Sequence, residues 1–424
     1  MKITLTNIGK ISLAEVNLNG LTVIAGPNDS GKSTLGKALF VTVSAYQKVM
    51  ATDANLVAFN IERIFRDLYS KLGTERFINP ILSKHLPTLT TKAVDVWMAI
   101  ESEEERLVFL NRILEGVHQS NLSQRIKALC EDLLKSLNSF TKTGNKNSEF
   151  IAELDRFIQL EFGGKFISME TEKGAVAISE NDAVLGFTVT KEGTNSVLWP
   201  STDSLPTDAT YIESPLYLNI TRTLLDSKRF PYNSVQPHIF DFAEKATLPG
   251  VVKNGNDTIV SENLKGGKFE FDNETQQLVF RKDSYAFPIS NVASGLKTFG
   301  VLQLFLTNGV AHPSKFIIWD EPENHLHPEW QLNFAEILVE MAKNGYPIIV
   351  STHSPYFIQA IRYYSALTGM EQSVDYYLAE PDGTSGLNRF RRVNDTLNEI
   401  FVKMANPLNE VMNVDLARKK FSNL

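Results

Sequence analysis

Apolar and polar positions alternate from the first residues: Ile3 and Leu5, then Ile11, Leu13, Val16 and Leu18. A period of two predicts two short strands with one buried face. Leu21–Ala25 reads as a third, buried strand, and a helix is predicted from Ser33 to about Lys48, with Leu35, Ala38, Leu39, Val41 and Val43 apolar on most sides. From about residue 50 to 162 the period lengthens to that of helices. Ile61, Ile64, Phe65, Leu68 and Leu72 form one stripe, and Leu107, Leu110, Ile113, Leu114 and Val117 a second. Ile126, Leu129, Leu133, Leu134 and Leu137 form a third, and Ile151, Leu154, Phe157, Ile158 and Phe162 a fourth. The stripes read as core packing, and no heptad persists long enough for a coiled coil. The acidic run Glu103–Glu105 suits a solvated helix start, and the polar segment Thr141–Ser148 a loop.

From Gly163 to about Trp199 the period returns to two, through Ile167 and Met169, Val176 and Ile178, Leu185, Phe187 and Val189, then Val197 and Trp199. Gly164, Gly174, Gly186 and Gly193 punctuate these runs, so an antiparallel meander is predicted. Ala209–Glu213 reads as a buried strand ended by Ser214-Pro215, with helical stretches following to about Leu248. Lys268–Phe271 and Leu278–Arg281 make a second hairpin, joined through Asp272-Asn273, and Tyr285–Ile289 a short further strand. Phe316–Trp319 and Pro347–Thr352 read as buried parallel strands with a helix, Glu329–Lys343, between them. Tyr376–Leu378 is strand-like, and no internal repeat is found.

Chemistry first appears between the third strand and its helix. Gly26-Pro27-Asn28-Asp29-Ser30-Gly31-Lys32-Ser33, followed by Thr34, has the spacing G-x-x-x-x-G-K-S of a phosphate loop in its required strand–loop–helix setting. Gly26 and Gly31 let the backbone curl so that its N–H groups face phosphate oxygens. The helix N-terminus adds partial positive charge, Lys32 an ammonium for the β/γ-phosphates, and Ser33 a hydroxyl for Mg²⁺. The strand at 316 ends in Asp320-Glu321-Pro322-Glu323. With a phosphate loop present, Asp320 fits the support of Mg²⁺ and Glu321 the polarising of the attacking water. His353 follows the next strand at the edge where open α/β sheets hold ligands, within reach of a γ-phosphate. Ser294-Gly295 opens a helix of small residues, readable as an anion site or as a plain helix cap. The pair His325 and His327 lacks a third ligand in sequence and reads as a structural loop.

Composition narrows the field. The 424 residues are 43% hydrophobic and 21% charged, with a net charge of −7. That is a globular chain with room for two or three domain-sized units, and one that is not a general nucleic-acid binder. DNA contact would rest on two small basic clusters, Arg389–Arg392 and Arg418–Lys420, which read more simply as solvated charge. Cys130 is the single cysteine, excluding a disulfide framework and a cysteine-based zinc site. No apolar run is long enough to span a membrane, and the N-terminus enters a strand pattern with no evident signal peptide, so a cytoplasmic location is expected.

Four elements thus stand in order: the phosphate loop at 26–33, Ser294-Gly295, Asp320-Glu321 and His353. That order resembles ABC-type ATPases of the branch that includes chromosome-maintenance and double-strand-break-repair ATPases. It is similar, more closely, to stand-alone AAA-family ATPases with motifs such as S-G-L-K and D-E-P-E-x-H-L-H-P. Those resemble the ATPase components of bacterial anti-phage systems of the overcoming-lysogenization-defect, Septu, PARIS and abortive-infection types. The resemblance covers about residues 1–48 and 205–365. It implies an α/β fold: an ABC-ATPase head split over 1–50 and 163–424, with a mixed and parallel core sheet, an antiparallel β subdomain, and a helical insertion at 51–162. The insertion is the expected partner-docking surface, because the nucleotide site does not need it.

The resemblance further implies ATP and Mg²⁺ as cofactors and a homodimer, or higher homo-oligomer, closed head-to-head around ATP. Ser294 and Gly295 of one subunit would meet the γ-phosphate held by Lys32 of the other. Glu321 would be the catalytic base and His353 the switch histidine. Leu296 and Lys297 stand where a transporter signature has a second glycine and a glutamine, which argues against transport. No glutamine fills the loop that contacts metal and water, and Glu213 is the candidate in its place. The expected function is an ATP-hydrolysing switch that controls an effector, a nuclease or toxin, on a separate chain. The alternatives are an ATP-dependent assembly scaffold with little turnover and a DNA-repair ATPase.

Overall fold

In the computed structural model of the chain, residues 1–404 are described except 19, 51–53, 88, 101, 140–145, 202–204, 207, 227–234, 249, 251–256, 273–274, 276 and 384. The N-terminal alternation folds as β1 (Lys2–Ile8) and β2 (Ile11–Asn17), paired antiparallel with Ile3 opposite Val16 and Leu5 opposite Ala14. These four side chains are fully buried. β3 (Leu21–Ala25) is buried at every position and leads into the helix Lys32–Met50. The meander is β4 (Lys173–Glu180), β5 (Ala183–Thr190) and β6 (Gly193–Leu198). The remaining strands are β7 (Asp208–Ile212), β8 (Lys268–Asp272), β9 (Gln277–Lys282), β10 (Tyr285–Pro288), β11 (Lys315–Asp320), β12 (Ile348–Thr352), β13 (Val374–Pro381) and β14 (Asn388–Arg392).

Eleven of these strands form one sheet in the order β6-β5-β4-β1-β2-β14-β13-β3-β12-β11-β7, while β10-β9-β8 stand apart as a small antiparallel sheet. The fold is therefore mixed α/β. The half built from β13, β3, β12, β11 and β7 is parallel, and the half built on β1, β2 and the meander is antiparallel. β14 bridges them, parallel to β2 and antiparallel to β13. The strand pattern at 376–378 belongs to β13, beside the phosphate-loop strand.

The chain divides into two compact units, one of Met1–Tyr46 with Ile151–Leu424 and one of Gln47–Phe150. The first carries the sheet, with helices Ser294–Thr307, Pro328–Lys343 and Pro355–Thr368 on the parallel half. Their apolar faces supply Phe299, Leu302, Phe305, Phe334, Leu338, Phe357 and Ile361 to a core that includes Val23, Ile317, Trp319 and Val350. The second is helical, around Ile61, Phe65, Leu68, Trp97, Ile113, Val117, Cys130 and Leu134.

Several local expectations shift. Leu107 (41% exposed) and Leu129 (42%) lie at the solvent margin of their helices, because the apolar stripe is wider than the face that packs. Lys146–Ser148 is not loop but the exposed first turn of the helix Lys146–Phe162, since those residues include no glycine or proline to stop it. The rest of that expected loop, 141–145, and the Asn273 turn lie outside the described residues. Ile167 makes only an isolated bridge to Ile8, and Met169 is 82% exposed, so the meander starts later than its alternation. Ser294 is the first residue of its helix rather than the cap; Ala293 takes that place. No helix among the described residues is long and apolar enough to cross a membrane.

Candidate functional site

Strand register gathers the chemistry at one edge. Ala25 of β3 pairs with Thr352 of β12, Asp320 of β11 with Ser351 of β12, and Ile212 of β7 with Trp319 of β11. The residues just past these pairs are therefore neighbours at the carboxyl ends of parallel strands: Gly26, His353, Glu321 and Glu213. Open α/β sheets bind ligands at this edge.

The phosphate loop turns through left-handed backbone at Asp29 (φ 60°) and Gly31 (φ 95°). Gly31 could not carry a side chain: a Cβ there would lie 2.7 Å from Ile11 Cγ1. Pro27, Asn28, Asp29 and Ser33 are exposed, Thr34 is half-buried, and Gly26, Ser30, Gly31 and Lys32 are buried. The Lys32 ammonium donates to the carbonyls of Gly26 (3.1 Å) and Pro27 (2.9 Å), so the loop closes on its own cation. Ser30 Oγ is buried without a hydrogen-bond partner among the described residues.

Opposite the loop, Glu321 takes a left-handed conformation (φ 48°, ψ 57°) at the end of β11. For a non-glycine residue this costs roughly 1–3 kcal/mol, the kind of strain that collects at working sites. Its Oε1 lies 3.8 Å from Lys32 Nζ and 3.3 Å from His353 Nδ1, and its Oε2 accepts from Asn324 Nδ2 at 2.9 Å. His353 is half exposed. Asp320 sits one residue earlier, with Oδ2 accepting from the Tyr211 hydroxyl at 2.7 Å and Oδ1 from the Ser351 hydroxyl. Burial, and then the Asp320 carboxylate, push the Tyr211 phenol far up, so it stays protonated and donates.

Two cavities adjoin the loop. One of about 280 Å³ is lined by residues 28–34 with Lys10 and Glu321. Another of about 410 Å³ lies beside Gly26, Pro27, Asn28 and His353, with Leu378, Ala379, Glu380, Pro381, Lys403 and Met404 on its far wall. Neither is lined by Ser294 or Gly295. Gly295 is held by packing: a Cβ would meet Trp330 Cζ3 at 2.8 Å and the His325 carbonyl at 3.1 Å.

Ser33 and Asp320 offer a hydroxyl and a carboxylate, hard oxygen donors that fit Mg²⁺. Among the described residues no three acidic, histidine or cysteine side chains converge as a metal cage. Mg²⁺ tolerates this, because it keeps waters and takes phosphate oxygens as ligands. Glu213 has other partners. His238 Nε2 stands 2.9 Å from its Oε2, Lys37 Nζ 3.4 Å, and the Tyr217 hydroxyl 3.2 Å. His238 hydrogen bonding, with Lys37 and Tyr217, outweighs burial and holds the Glu213 carboxyl at about 2. His238 itself is fully buried, with Nδ1 2.6 Å from the equally buried Glu161.

Sequence reasoning missed Lys10, which lines the smaller cavity and pairs with Asp29 at 3.4 Å. It also missed Tyr211, Glu161 and His238, and gave Glu323 no role. Of the basic clusters, Arg391 is paired with Glu380 (2.8 Å) and Glu399 (2.6 Å), and Arg392 with Asp375 (2.6 Å). Among the described residues no acidic side chain pairs with Arg389 in this way. Residues 418–420 lie outside the described residues.

A family model described as "AAA domain, putative AbiEii toxin, Type IV TA system" matches residues 124–359, more than half of the chain. The match includes Ser294, Asp320, Glu321 and His353 but begins after the phosphate loop. An uncharacterised protein of Methanocaldococcus jannaschii is 30% identical over 99 residues, 22% of this chain. The match spans only 12% of that relative's length. Among solved structures, the SMC head domain from Thermotoga maritima is 13% identical, with a TM-score of 0.39 over 92% of this chain and 98% of that one. An Smc head with an extended coiled coil bound to the C-terminal domain of ScpA, from Pyrococcus furiosus, is 12% identical, with a TM-score of 0.41 over 95% and 98%.

Proposed function

The chain belongs to the AAA-domain family whose model it matches over residues 124–359, and from that premise we propose that it binds and hydrolyses ATP as a switch subunit. In this reading it closes as a homodimer around ATP and controls a nuclease or toxin on a separate chain, in defence against phage. The carrying observation is the meeting of Lys32, Glu321 and His353 at the carboxyl edge of β3, β11 and β12.

The hydrolytic roles follow from that meeting. The loop N–H groups and Lys32 take the β/γ-phosphates, for which Lys32 exchanges the carbonyls of Gly26 and Pro27. Ser33 and Asp320 would hold Mg²⁺, which would supply charge neutralisation at the phosphates. Tyr211 and Ser351 fix both oxygens of Asp320, so this carboxylate is set in place before nucleotide arrives. Glu321 accepts a proton from the attacking water, which adds to the γ-phosphorus as the bond to the ADP oxygen breaks. His353, beside Glu321, donates a hydrogen bond to the phosphoryl oxygens. Glu213, gripped by His238 and Lys37, is a secondary candidate behind Asp320 for the metal's waters.

Closure by a second copy is supported by the position of Ser294 and Gly295, which face neither cavity of their own chain. Defence is supported by the family description, which names a toxin of a toxin–antitoxin system. The unit Gln47–Phe150 carries none of the proposed site residues in its sequence and is the proposed docking surface for the effector. Native mass measured with and without ATP tests closure. Dimers that form with ATP in wild type and fail in Ser294→Arg, while dilute monomer keeps its ATP affinity, are expected. Loss of affinity in the monomer would contradict the sandwich.

A further inference from the structure

Glu323 is the most enclosed carboxylate at the nucleotide edge, with 3% of its side chain exposed. It lies in the short turn Pro322–His325 after β11. Its Oε1 accepts three donors of one neighbouring loop: the N–H of His353 at 3.0 Å, the N–H of Ser354 at 3.2 Å, and the hydroxyl of the fully buried Thr352. Oε2 is buried and has no partner among the described residues. Among the described residues no lysine or arginine reaches it; the nearest basic side chain is His353, Nδ1 at 3.7 Å.

A buried carboxylate without a base is costly, since its desolvation is repaid by hydrogen bonds alone. What the side chain does achieve is a direct tie between two catalytic loops. It hangs from the segment that carries Glu321 and holds the backbone of the segment that carries His353. Downstream, Ser354 Oγ donates to Gln331 at 2.9 Å and accepts from the Phe357 N–H at 3.2 Å, so the loop is fixed on both sides of the histidine. The imidazole is left 3.3 Å from Glu321. Glu323 lines neither cavity.

We propose that Glu323 is the positioning residue that sets His353 against Glu321 and thereby couples the two loops. The assignment rests on the hydrolytic reading above and deepens it.

The test measures kcat and KM for Mg·ATP in the full chain, for wild type, Glu323→Gln, Glu323→Ala, His353→Ala and the double variant E323A/H353A. Glu323→Gln keeps the accepting oxygen and should stay within about threefold of wild-type kcat, whereas Glu323→Ala should lower kcat roughly tenfold or more with KM changed less than about twofold. The double variant should be no slower than His353→Ala, because the two residues act as one unit. Wild-type kcat in Glu323→Ala, or a double variant slowed by the product of the two single effects, overturns the assignment. If Glu323→Ala does not fold, Glu323→Asp replaces it. That variant keeps the charge but withdraws the oxygen by one methylene, and wild-type kcat there is equally fatal. A wild-type chain that hydrolyses no ATP refutes the proposed function itself, and this assignment with it.

Discussion

Replacing His238 with leucine tests the electrostatics behind the nucleotide edge. The imidazole is fully buried between two carboxylates, 2.6 Å from Glu161 Oε1 and 2.9 Å from Glu213 Oε2. Burial alone would lower its pKa; the hydrogen bond to Glu161 and the Glu213 carboxylate 2.9 Å from Nε2 outweigh that and hold it above its ordinary value. Leucine fills similar space but leaves Glu161 fully buried, with Lys37 at 3.4 Å and, among the described residues, no partner for Oε2. Breaking a buried ion pair costs roughly 3–5 kcal/mol, because the surviving charge stays desolvated. Lys37 remains, and Glu213 is 40% exposed and can rehydrate, so the lower end, about 3 kcal/mol, is expected. Urea denaturation at neutral pH measures it. Adding Glu161→Gln should recover half or more of the loss, since a neutral amide escapes most of the penalty. A group whose pKa is raised on folding stabilises fully below its unfolded value and loses that contribution as pH rises through the folded one. The gap between wild type and His238→Leu should therefore narrow above neutrality. A loss under about 1 kcal/mol, or a double variant that costs the sum of the two singles, would refute the reasoning.

Two further outcomes follow from named contacts. The Glu213 carboxyl is held down at about 2 from 4.5, so its contribution is complete above pH 4.5 and drains away as pH falls toward 2. With 40% of the side chain exposed, solvent screening limits it to ~1 kcal/mol, and Glu213→Gln should flatten that part of the stability–pH curve. Gly36→Ala would put a Cβ 2.7 Å from Tyr211 Cε2 and 3.0 Å from Ile318 Cγ2. Overpacking costs roughly 1–3 kcal/mol and the better helix former returns ~1 kcal/mol, so a net loss of up to about 2 kcal/mol is expected. Because Tyr211 carries Asp320, ATP turnover should fall as well; a variant with raised stability and full turnover would count against that packing.

What could be read from the chain was what is local. A phosphate loop, two carboxylates ending a strand and a histidine ending the next are each a few consecutive residues, and hydrophobic period found their strands. The partners that finish the site are not local. Tyr211 reaches Asp320 across 109 positions, and His238 reaches Glu161 across 77. Neither pairing has a periodicity to betray it. Glu323 stood in plain view beside Glu321, yet its role depends on a loop 30 residues on, brought there by the pairing of β11 with β12. The meander's place in the sheet was not legible either, because alternation reports a buried face and not which strand lies beside it. The pairing of β4 with β1 joins it to the main sheet.

The central claim is that the cleft between the phosphate loop and Glu321 hydrolyses ATP. The most direct measurement is phosphate release from the purified chain with Mg·ATP, beside Lys32→Ala and Glu321→Gln. The account predicts turnover in wild type and a loss of about a hundredfold or more in both variants, with ATP binding kept in Glu321→Gln. Turnover unchanged in either variant, or none in wild type despite tight ATP binding, would contradict it; the second result would leave an ATP-dependent scaffold.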